Sequence, residues 1–111
     1  MRTLLYAAES GTERKGWLIA NVKIEAEAGH KLYYLGSIHQ YEFFCRDLKN
    51  AGVNAQVVYL TKEETPADGD CVFTENLLYE MWAIWPMAYR KVKQLQTTWY
   101  VTLDKKDIIS D

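Results

Sequence analysis

The amino-acid sequence predicts an α+β fold, one sheet of about five strands with two helices packed on one face, in the chain order β-β-β-α-β-α-β. Three observations predict it. Short runs in which apolar and polar residues alternate recur along the chain, with the period of a half-buried strand. Two longer stretches space their apolar residues by three and four, the period of an amphipathic helix. No stretch rich in Gly, Ser or Pro divides the 111 residues, so 1–111 is read as one globular domain.

The first strand is expected over residues 3–8, an apolar run rich in Leu and Tyr that gives way to the polar stretch 9–16. Over 17–26, Leu18, Ala20, Val22, Ile24 and Ala26 alternate with Asn21, Lys23 and Glu25, which predicts a second, half-buried strand. Gly29 makes a turn, and the Tyr- and Leu-dense run 31–35 is a third strand, completing a meander. Ser37-Ile38-His39-Gln40 has the form of a capping box. Ile38, Tyr41, Cys45 and Leu48 then recur at helical spacing, and Gly52 stands where a left-handed cap belongs, so the first helix is placed over 38–51. The alternation from Val53 to Leu60 predicts a strand, central because its second face turns apolar.

Residues 61–70 carry Pro66, Gly69 and four carboxylates and are read as a surface loop. A second helix is expected from Thr74 as cap, with Leu77, Met81, Trp85, Ala88, Val92 and Leu95 on one stripe and Pro86 as a kink. Trp99, Val101 and Leu103 alternate with polar residues in a last strand.

With 49% hydrophobic and 25% charged residues, the composition is that of an ordinary folded protein. A net charge of −2 removes the basic excess on which nucleic-acid binders rely, so nucleic acid is not an expected partner. The apolar run from Leu4 to Ala8 is too short for a secretory signal core, and no window approaches the roughly 20 apolar residues that span a bilayer. A cytoplasmic location away from membranes is expected. Two cysteines, Cys45 and Cys71, do not make a disulfide framework and are read as free thiols.

Catalytic chemistry finds no local pattern. His30, His39, Cys45 and Cys71 are dispersed, without the paired spacing of a zinc site, so neither metal nor cofactor is expected. On a helix, His39 and Cys45 fall on different faces, and Cys71 stands among carboxylates with no base beside it in the sequence. The six glycines never cluster before a helix as phosphate loops require. No catalytic residue is assigned, and the reading weighs against an enzyme.

Two features stand out against that background. Glu63, Glu64, Asp68, Asp70, Glu75 and Glu80 follow one another with no basic residue between Glu63 and Tyr89. Four Trp, eight Tyr and three Phe fall largely in adjacent or near-adjacent pairs, such as Tyr33 and Tyr34, Phe43 and Phe44, and Trp82 and Trp85. Aromatic side chains are the commonest anchors of protein interfaces. The expected function is therefore a small interaction module, an adaptor or protein inhibitor, that meets a larger protein through Glu63, Glu64, Asp68, Asp70, Trp82 and Trp85. The alternatives are a small enzyme with a site assembled from His30, His39, carboxylates and tyrosines, and a structural protein that self-associates as a homodimer.

Overall fold

The computed structural model describes residues 2–61, 64–75 and 96–107. Among them five strands form one sheet: β1 (Arg2–Ala8), β2 (Leu32–Leu35), β3 (Val57–Tyr59), β4 (Cys71–Thr74) and β5 (Thr98–Asp104). Two helices, α1 (Gly11–Glu27) and α2 (Ile38–Asn50), pack against it, and a short 3-10 turn (Lys105–Asp107) follows β5. The strand order is β1-β5-β4-β2-β3, and every neighbouring pair is parallel. The expected sheet of about five strands with helices on one face forms, but the described elements follow the order β-α-β-α-β-β-β rather than the expected β-β-β-α-β-α-β.

Both helices share that face. Leu18 and Val22 of α1 and Phe44 and Leu48 of α2 form one buried cluster with Leu32, Tyr34, Val57, Cys71, Phe73 and Tyr100 of the sheet. Phe73 and Tyr100 stack with ring centroids 4.9 Å apart, and Tyr34 meets Phe44 at 4.8 Å. The alternate residues Tyr33, Leu35, Val72, Trp99 and Val101, which point to the opposite face, are buried as well. Burial on both faces explains why the central strands read as almost continuous apolar runs. It also resolves two of the aromatic pairs, since Tyr33 and Tyr34, and Trp99 and Tyr100, go to opposite faces and both members are core.

Four details differ from the sequence expectation. Residues 17–26 lie in α1, and no meander forms. Leu18, Val22 and Ala26, four apart, face the sheet, whereas Ala20 and Ile24 of the alternating set are exposed, Ile24 at 56%. The helix starts at Ser10, whose hydroxyl accepts from the Glu13 amide at 3.4 Å. Residues 71–74 are a strand, so Thr74 closes β4 rather than capping a helix. The strand after α2 covers only Val57–Tyr59 and lies at the sheet edge, not its centre. The rest of the expected second helix, 76–95, lies outside the described residues.

The α2 expectation is met closely. Ser37 and Gln40 form the reciprocal capping box, with Gln40 N to Ser37 Oγ at 3.2 Å and Ser37 N to Gln40 Oε1 at 3.0 Å. Gly36 before it admits no side chain, because a Cβ there would come within 2.8 Å of the Tyr34 ring.

Candidate functional site

The strand order sets where a crevice can form. The chain runs outward from β1 to β2 and β3 and then returns through β4 to β5, so β2 and β4 are neighbours from the outbound and the returning halves. In open parallel sheets ligands sit beyond the carboxyl ends of strands at such a reversal. The residue after β4 is Glu75, and beside it opens a groove of about 750 Å³ lined by Gly11, Thr12, Lys15, Asp47, Asn50 and Glu75, among others. Small-ligand clefts run from roughly 300 to 1,000 Å³.

Glu75 organises this groove. Its Oε1 accepts from the Tyr34 hydroxyl at 2.8 Å and pairs with Lys15 Nζ at 3.4 Å. Lys15 also pairs with Asp47 at 3.2 Å, so one ammonium from α1 stands between a carboxylate of α2 and one at the end of β4. Lys15 and Glu75 are only about a quarter exposed and Asp47 37%, so these contacts are less screened than surface pairs. The three groups sum to one negative charge, which repels anions and favours cationic or hydroxyl-bearing ligands.

A second constellation lies at the opposite, amino end of the sheet. Glu25, in the last turn of α1, receives His30 Nδ1 at 3.2 Å and the Cys71 thiol at 2.6 Å on the same oxygen, Oε2. Cys71 is the first residue of β4, buried at 1% exposure, and its amide donates to the Lys31 carbonyl at 2.9 Å. Burial and then the hydrogen bond to Glu25 push the thiol far above its ordinary range, so without a further partner it stays protonated and unreactive. Burial, and next the charge of Glu25, also raise the Tyr100 phenol. His30, Lys31, Asn54, Gln56 and Val58 line an open groove beside this cluster.

Of the carboxylates expected to meet a partner, Glu64 accepts from the Thr61 hydroxyl and Asp70 from the Ala67 amide at 2.8 Å within the loop, whereas Asp68 accepts from the Gln96 amide at 2.8 Å, 28 residues along the chain. Glu63, Trp82 and Trp85 lie outside the described residues. Cys71, which has no base near it in the sequence, has Glu25 and His30 beside it in space, 46 and 41 residues away along the chain. No local spacing announces a group assembled from such separations. Lys15 and Asp47 carry no sequence signal for the same reason, and Glu75 stands out in the sequence only as a member of the acidic run. Set against family models, curated proteins and solved structures, the chain matches none of them.

Proposed function

We propose that the protein binds a small cationic or hydroxyl-rich molecule in the groove between α1 and α2, with the Glu75 and Asp47 carboxylates as acceptors. The observation that carries this reading is the convergence of Tyr34 and Lys15 on Glu75 Oε1 at the junction of β2 and β4. Two donors fix the carboxylate before a ligand arrives, and such preorganisation reduces the ordering cost of binding. The test is amide-resolved NMR titration with a panel of primary amines, polyols and, as anionic controls, phosphate monoesters. Amines or polyols should shift Lys15, Asn50 and Glu75 resonances, and Glu75→Gln should weaken binding at least tenfold while preserving the spectrum elsewhere. A preference for phosphates, or shifts confined to residues outside the groove, would overturn it.

A second reading, the interaction module, is supported by one feature of α2. Phe43 is 52% exposed and Ile38 46%, and the Arg46 guanidinium lies over the Phe43 ring at 4.8 Å. An exposed aromatic stacked under Arg is the composition of an interface anchor. On that reading Phe43 is a binding aromatic on α2 in addition to those expected near the acidic region, and Phe43→Ala would weaken capture of the protein partner without altering stability.

A further inference from the structure

We propose that Glu25, His30 and Cys71 form a binding site for a divalent transition metal, with Zn²⁺ as the ion that the donor set fits. Three different ligand atoms, a carboxylate oxygen, an imidazole nitrogen and a sulfur, lie within 4.8 Å of one another. They come from the last turn of α1, the second residue past its C-cap Ala28, and the start of β4, so the fold brings Cys71 to the other two. An oxygen, nitrogen and sulfur set disfavours Ca²⁺ and Mg²⁺, which take oxygen ligands, and suits a borderline ion that accepts tetrahedral geometry.

The way α1 ends explains how two of the three donors meet. Gly29 takes a left-handed φ of 83°, its amide donates to the Ala26 carbonyl at 3.0 Å, and the His30 amide donates to the Glu25 carbonyl at 3.2 Å. This is a Schellman closure, which sets the residue after the glycine beside the one five positions before it. Such closures commonly hold an apolar pair there. Here the paired positions carry Glu25 and His30, and the third side chain at the junction is the Cys71 thiol.

Tetrahedral zinc bonds of about 2.1 Å to oxygen and 2.3 Å to sulfur put those two atoms about 3.6 Å apart. The Glu25 to Cys71 contact of 2.6 Å must therefore open by about 1 Å, within reach of a Glu side chain at a helix end. The thiol proton leaves to solvent as the metal–sulfur bond forms, so binding strengthens with pH. Three protein ligands leave a fourth position for water, on the side of the groove lined by His30, Asn54 and Gln56.

The experiment is titration of the chelator-treated full chain with Co²⁺, read by absorbance, followed by displacement with Zn²⁺. The expected result is one Co²⁺ per chain with a sulfur-to-metal charge-transfer band and tetrahedral d–d bands, both removed by Zn²⁺. Cys71→Ser should abolish the charge-transfer band, Glu25→Gln and His30→Ala should each weaken binding at least tenfold, and Cys45→Ser should change nothing. His30 is 44% exposed, so His30→Ala removes a ligand without opening the core and decides the matter should Cys71→Ser fail to fold. Absence of stoichiometric binding, a band that survives in Cys71→Ser, or affinity unchanged in His30→Ala would each overturn the site.

Discussion

The two helices end in the same way and put that ending to different uses. At α2, Gly52 takes a left-handed φ of 75°, its amide reaches the Lys49 carbonyl at 3.0 Å, and the Val53 amide reaches the Leu48 carbonyl at 2.9 Å. At α1 the corresponding residues are Gly29, Ala26, His30 and Glu25. The backbone solution is identical, but the facing side chains are Leu48 and Val53 in one case and Glu25 and His30 in the other. Leu48 is 3% exposed and belongs to the core, with Val53 packed against it. That closure is explained by burial alone. The closure of α1 instead holds two hydrogen bonds on one carboxylate oxygen, from the half-exposed His30 ring and from the buried Cys71 thiol.

Substitution at each pair separates the two closures. Leu48→Ala leaves a cavity under α2 and should cost about 2–5 kcal/mol, read from urea unfolding followed by circular dichroism. Replacing Glu25 by Leu, which makes the α1 closure resemble that of α2, removes the His30 and Cys71 hydrogen bonds and should cost the metal-free protein about 1–2 kcal/mol, less than Leu48→Ala. Equal losses at the two sites would mean that the Glu25 cluster is a structural element like Leu48.

The shared backbone predicts a smaller, matched effect. A Cβ at Gly29 or Gly52 would meet no atom within 4 Å, so Gly→Ala at either position is penalised only through its positive φ. Each substitution should cost about 1–2 kcal/mol, and the two should agree within the error of denaturation midpoints. A much larger loss at Gly29 would show that His30 and Glu25 depend on the closure more strongly than one hydrogen bond between them implies.

The two helix ends also explain what was legible in the chain. α2 announced itself through its capping box, its three-and-four spacing and Gly52, because those signals are local and agree with one another. α1 carried a start signal of the same form, Ser10 followed three places on by Glu13, and a cap at Gly29, yet its middle also alternates apolar and polar residues. Leu18, Val22 and Ala26 satisfy both periods, and exposure of Ile24 shows which one operates. β4 was hidden because Cys71 to Thr74 is four residues long and buried on every side, and a short apolar run has no period to read. The candidate sites were illegible for another reason. Lys15, Asp47 and Glu75, like Glu25, His30 and Cys71, meet only after parallel pairing fixes which strand ends are neighbours.

The smallest effect tests whether a polar contact on the α2 side is purely structural. The Tyr41 hydroxyl donates to the Val57 carbonyl at 2.7 Å and so ties α2 to β3. Tyr41→Phe should cost about 0.5–1.5 kcal/mol at pH 7, the worth of one such bond. Burial, and next the hydrogen bond with Cys45, raise this phenol above its ordinary value near 10. Above that pH the unfolded chain releases the phenolic proton while the folded chain holds it. Unfolding is then favoured by rising pH, and below pH 10 the group has no such effect. Cys71 and Tyr100 are also held above their ordinary values, so wild type and Tyr41→Phe both lose stability in alkali. Wild type loses it faster, because it alone carries Tyr41. The gap between the two proteins should therefore narrow from pH 9 to pH 11 in urea midpoints taken side by side. A gap that stays constant would show that Tyr41 ionises as freely in the folded chain as in the unfolded one, and that its bond to Val57 excludes no water.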